Sequence, residues 1–159
     1  MNSRHLCALA TGRWYFHTPI ILLGYALMVS APAMAAEIIT MQVESQALDL
    51  DAGTIVDALT GDLTTPTGAD VRLAYNADRT PHAVVLPAGE GVEVSFVAGV
   101  GFDGISASDV ANLVFSTEPI DLPFSANDCV VIRTDQGAVF KLGNATESGM
   151  SITFNYEPL

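Results

Sequence analysis

From residue 36 onward the apolar residues of this chain fall in short runs separated at close intervals by Gly and Pro. Runs rich in Val, Ile, Phe and Thr, bounded by turn formers, predict strands rather than helices. Strands are expected over Ile38 to Val43, Gln46 to Leu50, Val71 to Tyr75, Ala83 to Leu86, Val92 to Val97 and Leu113 to Phe115, then over Cys129 to Thr134, Ala138 to Leu142 and Ser151 to Tyr156. Two segments favour helical turns instead. Thr54 to Leu63 places apolar residues at 55, 56, 59 and 63, and Ser106 or Ser108 can cap a short helix with Asp109 in its first turn and Leu113 near its end. The expected class is all-β: a single antiparallel sandwich- or barrel-like domain with one or two short helical turns.

The last thirty residues read as a three-stranded meander, with a loop over Gly143 to Gly149 before the final strand. In that strand Ile152, Phe154 and Tyr156 alternate with Ser151, Thr153 and Asn155, the period of two that a half-buried strand requires. The hairpin register follows from the cost of burying charge. A three-residue loop, Asp135-Gln136-Gly137, pairs Ile132 with Phe140 and Val130 with Leu142, which makes one face apolar. It sends Cys129, Val131, Arg133, Val139 and Lys141 to the other face, with both cations toward solvent or a partner. A two-residue loop would set Lys141 among apolar neighbours. The three-residue form needs a left-handed residue at its third position, and Gly137 supplies it.

The N-terminal pattern is different in kind. Arg4 and Arg13 precede an apolar run, Ile20 to Val29, too short to span a bilayer, and Ala33 and Ala35 supply an A-x-A exit. Residues 1–35 therefore read as a signal peptide, cleaved before Ala36, with 36–159 as one acidic β-rich domain; an uncleaved anchor is the alternative. The expected location is the periplasm, cell surface or extracellular space. Cleavage removes two of the six Lys and Arg and none of the 18 acids, so four cations face 18 acids and the net charge becomes −14. Such a surface repels nucleic acid and anionic lipid. The domain is then not membrane-spanning, and its partner is an unknown protein or small molecule. Cys129 is left without a second cysteine, and a small core residue explains it better than a nucleophile or a dimer link.

Catalytic constellations are sparse. The mature chain has one histidine, His82, which by itself makes neither a zinc site nor a triad, and neither a G-x-S-x-G nucleophile elbow nor a G-x-x-x-x-G-K-[ST] phosphate loop occurs. The one acidic pattern with ligand character is Asp49-Leu50-Asp51-Ala52-Gly53, alternate acids ahead of a glycine. It departs from an EF-hand loop at Gly53, where an acid or Asn belongs, and at Thr60, where the bidentate Glu belongs. Asp49 and Asp51 stand as a calcium candidate, with a solvated turn as the alternative reading.

The string Val131-Ile132-Arg133-Thr134-Asp135-Gln136-Gly137-Ala138-Val139-Phe140-Lys141-Leu142, followed by Ile152-Thr153-Phe154-Asn155-Tyr156, resembles the closing hairpin and strand of HmuY-like haem-binding proteins. The resemblance covers about thirty residues. It implies an all-β fold and haem held by two side chains, usually histidines, for which this chain offers His82, with Met41 and Met150 as conceivable second ligands. With one strong axial ligand at most, tight haem binding is not expected. An exported, non-enzymatic binding or interaction domain is the leading expectation. A structural subunit of a surface filament or matrix is the alternative, since Ile39, Met41 and Val43 alternate with polar residues and could add to a neighbour's open sheet edge, so self-assembly is part of that reading.

Overall fold

The computed structural model describes residues 35–57, 67–75 and 83–159. Ten strands follow in chain order: β1 (Glu37–Gln42), β2 (Gln46–Asp49), β3 (Thr54–Asp57), β4 (Val71–Tyr75), β5 (Ala83–Pro87), β6 (Glu93–Val97), β7 (Ile120–Asp121), β8 (Cys129–Arg133), β9 (Val139–Ser148) and β10 (Ser151–Pro158). They form two antiparallel sheets, ordered β1-β10-β9-β8-β6 and β3-β2-β4-β5-β7. Because neighbouring side chains on a strand point to opposite faces, each sheet turns an apolar face inward. Met41, Ile132, Leu142, Ile152 and Phe154 of the first sheet meet Leu48, Val71, Leu73 and Val85 of the second in one buried cluster. The fold is all-β, a sandwich. Among the described residues no helix is long and apolar enough to cross a membrane.

The β8–β9 hairpin has the expected register, with Val130 opposite Leu142 and Ile132 opposite Phe140. Thr134 N–H donates to the Ala138 carbonyl at 2.9 Å, and Gly137 sits at φ +86°. The two faces separate as expected. One difference matters: most of the second face is covered by the chain itself, with Arg133 at its exposed margin. The chain following β6 folds back over it, so that Phe102 and Ile105 pack on Cys129 and Val131, flanked by Leu113, Phe115 and Val139. Both hairpin cations engage this cover. Lys141 Nζ lies 4.6 Å from the centre of the Phe102 ring and 3.2 Å from both the Ile105 carbonyl and Glu157 Oε2. The Arg133 guanidinium lies 3.9 Å over Phe115 and donates to Glu93 at 2.7 Å. Cys129 is sealed beneath it, and burial pushes its thiol up to about 11, so it is a core residue.

Four local expectations are corrected. Thr54 begins a strand, not a helix. β3 pairs with β2 (Leu48 opposite Ile55) around a turn that Gly53 closes at φ +64°, and β-branched Thr54, Ile55 and Val56 suit that geometry; residues 58–63 lie outside the described residues. Leu113 to Phe115 is not a strand, although the next residue, Ser116, exchanges two backbone hydrogen bonds with Val94. Neither Ser106 nor Ser108 caps a helix: Asp109 accepts from the Ser106 N–H and hydroxyl, and only a single 3₁₀ turn, Val110–Asn112, follows. Gly143 to Ser148 extends β9 rather than looping. A bulge absorbs the mismatch, with Asn144 at φ 54°, and a Cβ on Gly143 would stand 3.1 Å from Phe102, so its glycine makes room for the cover.

Candidate acidic cation site

The β2–β4 pairing builds the site. Leu48 stands opposite Val71, and because the strands are antiparallel, Asp49 at the end of β2 faces Asp70 just ahead of β4. Backbone bonds pin both ends of Asp70: its N–H donates to the Leu48 carbonyl at 2.9 Å, and its own carbonyl accepts from Ala88 at 2.8 Å. The Leu50 N–H donates to Asp70 Oδ2 at 2.8 Å. The β2–β3 turn then brings Asp51 to the same place. Carboxylate oxygens of Asp49, Asp51 and Asp70 lie within 4.8 Å of one another.

Each carboxylate is differently committed. Asp49 Oδ1 accepts from the Ala52 N–H at 2.8 Å, which shapes the turn. Asp51 Oδ1 accepts from Thr134 Oγ1 at 3.2 Å, tying the second sheet's turn to the β8–β9 hairpin. Asp51 Oδ2 is buried and receives no hydrogen bond from any described residue. Asp70 is only 1 % exposed. Burial is the largest influence on its carboxyl, which rises to about 6; the Leu50 N–H opposes the rise, and Asp51, Asp135 and Asp49 add to it. The charges of Asp51, Asp135 and Asp49 that act on Asp70 are of its own sign. Beside the cluster, Thr67, Gly68, Ala69, Ala88, Gly89, Glu90 and Asp135 line a shallow groove of about 490 Å³, placing two further carboxylates at the same end of the sandwich.

Chemically this is a hard-oxygen site. Calcium accepts irregular sets of about six to eight oxygens, including carboxylates, carbonyls and water. Three converging carboxylates, one with an idle oxygen, fit that preference. The expected candidates Asp49 and Asp51 do come together. Asp70 belongs to no linear loop: only the strand register delivers it, and its sole sequence signal is an acid directly preceding the strand-forming run Val71 to Tyr75.

The other candidates fare differently. Met41 is fully buried in the sandwich core and Met150 is exposed in the β9–β10 turn. His82 lies outside the described residues. No family model, curated protein or solved structure matches this chain.

Proposed function

We propose that the chain is an exported, non-enzymatic binding domain whose acidic end holds calcium through Asp49, Asp51 and Asp70. The observation that carries this reading is the idle, buried Oδ2 of Asp51 beside a second, almost completely buried carboxylate. Like charges so placed repel one another, and a dication supplies the missing counter-charge. The ion would fix the loops around the groove, the surface offered to a partner. Export is supported by the short apolar run Ile20 to Val29 and the Ala33-x-Ala35 exit. A non-enzymatic role is supported by Cys129, which lies sealed beneath the cover.

The β1 run expected as a strand for a neighbour's sheet pairs on one side with the chain's own β10 and stands at the edge of its sheet, so the filament alternative has only that outer edge to work with. Calcium titration of the purified protein by calorimetry tests the proposal. One equivalent should bind, with a dissociation constant of about 10⁻⁵ to 10⁻³ M, the range of sensor and extracellular sites. Asp51→Asn should weaken it at least tenfold. No heat and no shift in unfolding temperature at millimolar calcium would refute it.

A further inference from the structure

β1 is the edge strand of its sheet: β10 covers one side, and among the described residues no strand covers the other. Backbone alternation decides which groups lie on the uncovered side. Val43 N–H donates to the Met150 carbonyl, toward β10, while Gln42 N–H bonds the side chain of Gln46. The even-numbered residues therefore direct N–H and C=O outward, and with Gln42 N–H occupied, the outward groups of Ile38 and Thr40 form the template. Edges are ordinarily blunted by Lys, Pro, bulges or shortness. β7 has two residues, and Ser116 bonds along β6. β1 has six residues and contains no Lys, Pro or Gly.

We infer that β1 pairs antiparallel with β1 of a second copy of this chain, about a two-fold axis at Ile39. In that register Ile38 of one copy faces Thr40 of the other and exchanges a reciprocal pair of hydrogen bonds with it, and the symmetry repeats the pair. Side chains agree with the backbone. Ile38, 73 % exposed, comes to lie beside the second copy's Thr40, whose hydroxyl is already fixed at 2.7 Å from Thr153 Oγ1. Charge selects this edge: a domain with 18 acids repels its like over most of its surface, yet residues 38–43 are uncharged, and Glu37 would stand opposite Met41 rather than another acid. The contact is short, well under the roughly 1,200 Å² of a stable interface, so the dimer is weak and concentration-dependent.

Sedimentation equilibrium of the purified protein at physiological ionic strength, from micromolar to millimolar, should show monomer passing to dimer. Ile38→Lys should shift the dissociation constant at least tenfold upward. Thr40→Pro, which removes an outward donor and no β1–β10 backbone bond, though it loses the hydroxyl contact to Thr153, should leave the protein monomeric with an unchanged circular dichroism spectrum; if it unfolds, Ile38→Lys decides. A wild type monomeric throughout, or a dimer indifferent to Ile38→Lys, overturns the inference.

Discussion

Two regions of this domain take charge out of water, and they do so in opposite ways. Under the cover of the first sheet, Lys141 is 5 % exposed yet has an aromatic face, a carbonyl and a carboxylate around it. At the acidic end, Asp70 is still more deeply buried, and Asp51, Asp135 and Asp49 set like charge beside it. A buried charge is tolerated when partners satisfy it and costly when they do not. The first region is therefore complete in itself and serves stability. The second crowds like charges together, and that crowding is the ground on which a calcium site is proposed there.

The largest effect should come from breaking the complete region. Lys141→Ala removes one partner of a buried pair, leaves the Ile105 carbonyl unbonded and opens a void beneath Phe102; urea unfolding should show a loss of about 3 kcal/mol. A loss below about 1 kcal/mol would mean that the cover is held by apolar packing alone.

At the acidic end the sign reverses. Asp70 has a folded pKa of about 6 against an unfolded value of about 3.9, so between those values the native state holds more protons than the unfolded chain. In chelator, stability should fall as pH rises through that window, by on the order of 2 kcal/mol in all, because the ionised carboxylate is the costly form. Asp70→Asn should flatten this slope and stabilise the calcium-free protein at pH 7 by about 1 kcal/mol, which denaturation at a series of pH values measures.

A third substitution separates backbone strain from either charge region. Gly137 sits at φ +86° with nothing within 4 Å of an added Cβ. Gly137→Val should cost about 1 to 2 kcal/mol from conformation alone, while Gly137→Asn, tolerant of that region, should cost less than half as much. The smallest effect belongs to Arg133→Ala. Its ion pair with Glu93 is about one-third exposed on both sides, so a loss of under about 1 kcal/mol is expected in thermal unfolding, most of it from the Phe115 contact.

The contrast also explains what was readable in the sequence. The hairpin register was legible because a two-residue loop would have put Lys141 among Val130 and its apolar neighbours, a choice fixed by adjacent residues. The fate of Lys141 was not, because the residues that cover it, Phe102 and Ile105, lie some distance earlier in the chain and carry no periodic signal. Two of the three carboxylates of the acidic site were likewise legible: Asp49 and Asp51 alternate within one turn. Asp70 needed the Leu48–Val71 pairing, a long-range register that local pattern does not encode. Thr54 to Asp57 was misread for a related reason, since its apolar spacing suits a helix and only pairing with β2 decides for a strand.

The claim that the acidic end lacks its counter-ion is tested most directly by measuring unfolding free energies of the wild type and Asp70→Asn at pH 7, each in chelator and in about 10 mM calcium, tenfold above the weakest expected dissociation constant. The two proteins should exchange order. In chelator the variant is the more stable, because a repelled charge is gone; in calcium the wild type gains by RT ln(1 + [Ca²⁺]/Kd) and overtakes a variant that has lost a ligand. Curves that keep the same order and spacing in both solutions would contradict the account.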